Sequence, residues 1–293
     1  MADTDFYNFT VIIPTYRAER ELPALIKALK DQSLPPKEIL VIDSSPDENT
    51  LKEAYSLGAK GLKIPPQRFN HGLTRTLAAQ KARGEILVFL TQDALPAHHK
   101  SLERLLGAFS APEIAAAYGR QLAPSSLGLW AELHRLYNYP DRSEVFSYKD
   151  RLKWGLRTVF FSNSFGAYRR KCLAQIGWFP KVPALEDVYA VASLMKRGWK
   201  VAYVAEAVVW HGHKLSLKEE FERYSKIGAF YRQHPWILKE YGKPLGEGGS
   251  YIRFAWKELG RRSKRYLFPL FLIRQLVRLL GYWKGLYGIG LVQ

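Results

Sequence analysis

Over its first ninety or so residues the chain alternates short apolar, β-rich runs with stretches of helical periodicity, and the strand-like runs end in polar residues. Few architectures accommodate this, because parallel strands need crossover connections and the crossing helices must cover both faces of the sheet. TVIIPTY, from Thr10 to Tyr16, reads as a strand, after which Leu22, Leu25, Ile26 and Leu29 recur at helical spacing. EILVIDSS, from Glu38 to Ser45, is a second strand, followed by a helix opening near Asp47 and closing at Gly58. KGLKIP makes a third strand, HGLTRTLAAQKARG a helix ending at Gly84, and EILVFLTQD a fourth strand. Ligands of such sheets sit beyond the carboxyl ends of the strands. The residues to watch are therefore Pro14, Thr15, Tyr16 and Arg17, then Asp43, Ser44 and Ser45, then Gln92, Asp93 and Ala94. No G-x-G-x-x-G follows the first strand and there is no G-x-x-x-x-G-K-[ST], which argues against a dinucleotide oxidoreductase and a P-loop NTPase.

Further along, IAAAYGRQL is a fifth strand candidate and the stretch from Ser125 to about Lys153 mixes aromatics with charge as helix or loop. Phe160 to Arg170 reads as a strand with a polar interruption, EDVYAVASLMKRG as a helix ending at Gly198, and SLKEEFERYSKIGAFYRQH as another helix. KVAYVAEAVVWHGH is strand material, whose alternation would point His211 and His213 to the same side. KPLGEGGS is linker-like. The expected division is a catalytic domain over 1–242, a linker over 243–250 and a basic, aromatic helical tail over 251–293.

Charge sharpens the question of partners. Forty-four Lys and Arg against 27 Asp and Glu leave a net +17, which calls for an anionic partner: nucleic acid, an acidic membrane surface or a phosphorylated substrate. Nine of the basic residues and one acid lie from Tyr251 onward, interleaved with aromatics and leucines. Pro269, Arg274 and Arg278 interrupt the apolar run there, so it is too short to span a bilayer and reads as a helix lying on an anionic leaflet, or packing on its own domain or on a second copy of the chain. MADTDFYNFT lacks a basic start followed by an apolar run and does not read as a signal peptide, and the single Cys172 has no disulfide partner and is expected to be a packing residue. Both fit a cytoplasmic protein, peripheral at the inner face of the cell membrane.

VIIPTYR, VIDSSPDENT, NHGLTR, GEILVFLTQDALP, the Glu186-Asp187 pair and VVWHGH, in this order and spacing, resemble glycosyltransferase family 2 from about Val11 to Gln233. The wording of FNHGLTR, FLTQDALP and H-x-H-x-x-S-L is similar to its bacterial rhamnosyltransferase-like branch. The resemblance implies a GT-A fold, an α/β class with a Rossmann-like, mainly parallel sheet flanked by helices, here carrying a C-terminal basic amphipathic helical segment. It implies inverting transfer of a sugar, rhamnose first, from a nucleoside diphosphate donor to a hydroxyl of a glycan or lipid-linked acceptor in cell envelope polysaccharide biosynthesis. Asp187 is then the general base. Pro14, Thr15, Tyr16, Arg17, Asp43, Ser44, Asn70, Gly72, Arg75, Gln92 and Asp93 fall at donor positions, Asp43 as the pyrimidine-contacting acid, and Asn163, Ser164, Trp178 and Glu186 at sugar or acceptor positions. Asp93, His211 and His213 are the metal candidates for Mg²⁺ or Mn²⁺, His211 before His213. Two departures stand out: Arg17 replaces a common Asn, and TQDA carries one acid where the family usually has a D-x-D motif.

The expected partners are dTDP-rhamnose or a UDP-sugar, the acceptor, an anionic membrane surface and a second copy of the chain, with no nucleic acid. Two rival functions compete with this one. A metal-dependent nucleotidyltransferase would bring a Gly-rich loop after the first strand, and PTYRAERELP has no Gly there. A nucleic-acid-binding protein would show a recognisable binding signature, and its strand-end acids would repel phosphate unless a metal intervened.

Overall fold

The computed structural model describes residues 8–242 and 245–288. β1 (Phe9–Thr15), β2 (Glu38–Asp43), β3 (Lys60–Lys63) and β4 (Ile86–Leu90) lie parallel in the order β3-β2-β1-β4. α1 (Leu22–Lys30), α2 (Asn49–Ser56) and α3 (His71–Lys81) form the crossovers. β1, β2 and β4 are mainly apolar because both faces are covered, Ile12 joining one core layer while Val11 and Ile13 join the other, whereas the edge strand β3, KGLK, is only partly buried. The register pairs Thr15 with Asp43 and Asp43 with Lys63, so the polar strand ends finish level with one another.

After β5 (Leu95–Pro96) and α4 (Ser101–Gly107), β6 (Ile114–Leu122) extends the sheet, and α5 (Leu129–Asn138), β7 (Glu144–Phe146) and α6 (Arg151–Trp154) follow. β8 (Phe165–Arg169) runs antiparallel between β4 and β6 and leads into α7 (Arg170–Gln175) and α8 (Glu186–Lys196). β9 (Lys200–Trp210) lies parallel to β6, with β5 and β7 antiparallel on it. The sheet is thus mainly parallel, as expected, with β8, β5 and β7 reversed. The strand expected over Phe160 to Arg170 is shorter than that. Residues 160–164 turn instead of pairing, because Asn163 is drawn toward the start of α8. Cys172 is buried, consistent with packing.

α9 (Leu217–Gln233) starts on a capping box in which Ser216 and Glu219 exchange hydrogen bonds, and α10 (Pro235–Tyr241) follows. Of the stretch expected as a linker, 243 and 244 lie outside the described residues and the remainder opens the helix α11 (Leu245–Arg261). α12 (Phe268–Tyr287) packs along α9 at backbone distance. A Cβ on Gly285 would lie 1.9 Å from the Ser225 carbonyl oxygen, one on Gly281 2.4 Å from that of Phe221, and one on Gly228 2.1 Å from that of Tyr282. Arg278 and Arg274 reach Glu220 Oε1 at 2.6 and 2.9 Å, and Arg262 forms a bidentate pair with Glu132 at 2.6 and 2.8 Å. Three tail cations are therefore spent on holding the tail to the rest of the chain. The opposite side of α12 leaves Ile273, Leu276, Leu280, Trp283 and Tyr287 exposed at helical spacing. Among the described residues no helix is long and apolar enough to cross a membrane.

Candidate active site

Three groups of polar side chains collect at the carboxyl ends of the strands. The first is Asp93 with His211 and His213, whose ligand atoms lie within 4.8 Å of one another. Asp93 sits in the turn after β4, and both histidines lie just past the end of β9 rather than on it. Strand alternation therefore does not aim them; the chain leaving β9 does. His211 Nε2 is 3.4 Å from Asp93 Oδ1 and His213 Nδ1 is 3.5 Å from Oδ2. His211 Nδ1 lies 2.8 Å from Gln121 Oε1 and 3.2 Å from Arg135 Nη2; the shorter contact, to an acceptor, places the proton on Nδ1 and the lone pair on Nε2. That Nε2 is buried and has no hydrogen-bond partner, the state expected of a ligand atom aimed at a cation. Burial keeps His211 below the usual imidazole range, against the pull of Asp93. Burial and the His211 ring do the same to His213. Both are thus neutral, as metal ligation requires. Burial alone would raise Asp93, but its contacts with His211 and then His213 outweigh this and hold it at about 2. An anionic carboxylate and two neutral imidazoles suit a divalent ion, and the imidazoles suit Mn²⁺ better than Mg²⁺.

The second group surrounds the first turn of α8. Leu185 takes a left-handed conformation, φ 59°, which turns the chain so that Glu186 and Asp187 open the helix. Asp187 accepts the N–H groups of Asn163 at 3.2 Å and Val188 at 2.9 Å. Burial, reinforced by the neighbouring Glu186, nevertheless raises its carboxyl to about 7. Glu186 is itself buried, bonded by Asn163 Nδ2 at 3.2 Å and paired with Arg75 Nη1 at 3.0 Å. Tyr168 donates its hydroxyl to Asn163 Oδ1 at 2.9 Å, so Asn163 is fixed on three sides. Arg75, Asn70 and Gly72, expected at the nucleotide, also make contacts inside the protein. Arg75 is 5% exposed. Asn70 caps α3 by accepting from Gly72 and Leu73, and a Cβ on Gly72 would lie 1.9 Å from the Pro180 carbonyl oxygen. Together they press α3 against the segment that leads into α8. Trp178 packs partly buried against the core in a left-handed conformation, φ 67°.

The third group closes the ends of β1 and β2. The Asp43 carboxylate is fully buried and accepts from Thr15 at 3.0 Å, Ser45 at 2.6 Å and Lys63 at 2.8 Å. Ser44 bonds back to the Thr15 carbonyl. Gln92 clasps the Tyr16 backbone, accepting from its N–H at 2.9 Å and donating to its carbonyl at 3.3 Å, and so ties the end of β1 to the turn that carries Asp93. Tyr16 and Arg17 stand exposed, Arg17 in a left-handed conformation whose N–H donates to Ser45. Pro14 lies within β1.

Gln121, Arg135 and Ser162 escaped the sequence reading. Gln121, fully buried near the end of β6, contacts His211 through Oε1 and donates to Ser162 at 2.9 Å. Arg135 bonds the His211 carbonyl at 3.1 Å. The Ser164 carbonyl accepts from Thr91, two residues before Asp93, while the preceding Asn163 holds Asp187. One hydrogen-bonded network therefore runs from Asp187 to the Asp93 cluster. The only signal available for Gln121 was a polar residue ending an apolar run.

The family model described as "Glycosyl transferase family 2" matches residues 10–177. The chain is 40% identical over 283 residues, 95% of this chain and 89% of the relative, to the O-antigen chain rhamnosyltransferase RfbN of Salmonella typhimurium. It is 36% identical, over the same shares, to the O-antigen chain rhamnosyltransferase WbaN of Salmonella anatum. In fold it matches a mannosyltransferase from Pyrobaculum calidifontis, solved in complex with GDP-Man and Mn²⁺, with a TM-score of 0.65 at 15% identity, covering 98% of this chain and 90% of that one.

Proposed function

The chain belongs to glycosyltransferase family 2, and from that premise we propose an inverting transfer of rhamnose from a nucleoside diphosphate donor to a hydroxyl of a glycan or lipid-linked acceptor, with Asp187 as general base. The observation that carries the residue assignment is a pair of carboxylates driven apart: Asp93 held at about 2 and Asp187 raised to about 7 in one connected site. A carboxyl titrating near neutrality can take a proton from an acceptor hydroxyl, while one that stays ionised can hold a cation. Asp93 and His211, with His213 beside them, would hold a divalent ion, Mg²⁺ or Mn²⁺, which when bound offsets charge on the departing diphosphate. The Asn163 N–H orients the base, and Arg75 neutralises Glu186 so that only one of the two acids is free to act. The exposed Tyr16 and Arg17 are offered to the donor base and diphosphate. Asp43 takes part in pyrimidine recognition through an oxygen now bonded by Lys63, so an imide N–H would displace the ammonium. We assign dTDP-rhamnose as donor ahead of UDP-sugars, a reading supported by the similarity to two O-antigen chain rhamnosyltransferases.

The exposed stripe of α12, flanked by the exposed Arg261, Lys264 and Arg265, supports docking on an anionic membrane at its cytoplasmic face rather than pairing with a second copy, since basic residues bordering an apolar face match acidic headgroups. Nucleotide release from a panel of nucleotide sugars tests the chemistry. dTDP-rhamnose with Mn²⁺ is expected to give the highest rate, and release from none of the panel would overturn the reading.

A further inference from the structure

Beside His213, α5, the chain after β9, α9 and α12 line a cavity of about 320 Å³. That volume is within the range of small-ligand sites. Its charge is one-sided: Arg135, Lys214, Arg223, Arg274 and Arg278 line it, against Glu220 alone among the acids. Glu220 is shared by Arg274 and Arg278 through one oxygen. Among the described residues Lys214 and Arg223 have no carboxylate partner, and the Nε atoms of Arg274 and Arg278 are buried with no hydrogen-bond partner at all. The field is felt by the imidazole that shares the wall: burial first, then Arg278 and Arg135, hold His134 well below its usual range. Among the described residues Arg135 is buried without a carboxylate partner, and Arg274 and Arg278 share one, so three largely buried guanidiniums face a single acid, an excess that is costly unless an anion completes it. Two of them belong to the tail, so the tail closes the cavity as well as packing on α9.

We propose that this cavity binds a phosphate or diphosphate group of a substrate, and that Arg274 and Arg278 of the tail are part of the binding site. The proposal rests on the reading of the chain as an enzyme of nucleoside diphosphate donors. The group has two sources: the diphosphate of the donor, or a phosphate carried by the acceptor. Guanidinium groups with free N–H donors and an adjacent ammonium recognise either through the same charge-assisted hydrogen bonds.

The test is calorimetric titration of the full chain with inorganic pyrophosphate in EDTA, so that binding through a metal is absent. The wild type is expected to bind, and Lys214→Gln combined with Arg223→Gln, both exposed and able to change without disturbing the fold, is expected to weaken binding by about tenfold or more. Arg274→Gln leaves Glu220 paired with Arg278 and is expected to weaken binding several-fold; an unchanged affinity would remove the tail from the site. Competition by dTDP identifies the donor as the source, and competition by farnesyl diphosphate a prenyl-phosphate acceptor. No pyrophosphate binding by the wild type, an unchanged affinity in the double variant, or competition by neither ligand would overturn the proposal. Failure of the wild type to release nucleotide from any sugar donor would instead strike the transfer reading and leave the pyrophosphate result standing.

Discussion

Two carboxylates with opposite environments divide the chemistry of the site. Replacing Asp187 by Asn removes the proton acceptor and keeps the shape, so transfer should fall by at least about a hundredfold while donor affinity stays within about twofold. Because the base acts only when ionised, the rate of the wild type should fall as pH drops below about 7. Stability carries the same signature with its own sign. The folded chain holds the Asp187 proton more tightly than the unfolded chain, so this group costs stability progressively as pH rises from about 4 towards the folded value near 7. Asp187→Asn should accordingly raise Tm at pH 8 and change it little at pH 4, a comparison that thermal denaturation at the two pH values provides. Asp93→Ala should abolish the dependence of donor binding on Mn²⁺, read by calorimetry with and without EDTA.

Elements explain which parts of this were legible in the sequence. The strands β1, β2, β4 and β6 are buried on both faces, so their apolar runs announce them, and their polar ends gave Asp43, Gln92 and Asp93 directly. What the sequence concealed were partners made by long-range packing. Arg75 looks like a surface charge on an amphipathic helix until Glu186, 111 positions away, is seen against it. Gln121 gains its role only when His211 is brought to it by the parallel pairing of β6 and β9. The stretch KPLGEGGS reads as linker by composition, yet the part of it that is described is helical, its glycines tolerated within α11. Between α9 and α12 the glycines are required. Gly285→Val has no room at the Ser225 carbonyl and should cost about 1–3 kcal/mol in urea denaturation, with earlier proteolysis at the tail.

Across the molecule, part of the net charge of +17 serves the fold itself. Arg262, Arg274 and Arg278 hold the tail to the catalytic body, and the latter two also face the cavity beside His213. The exposed Arg261, Lys264 and Arg265 flank the exposed stripe of α12, so vesicle flotation should need anionic lipid and should be lost when Leu276 and Leu280 are both replaced by Glu. Everything in the proposed function depends on the transfer itself, with Asp187 as the base. Its most direct test is a rhamnosyl transfer assay from dTDP-rhamnose with Mn²⁺, run beside donor-binding calorimetry, for the wild type and Asp187→Asn. The expected result is transfer by the wild type and near-complete loss in the variant with donor affinity retained. Transfer by Asp187→Asn at the wild-type rate would contradict it.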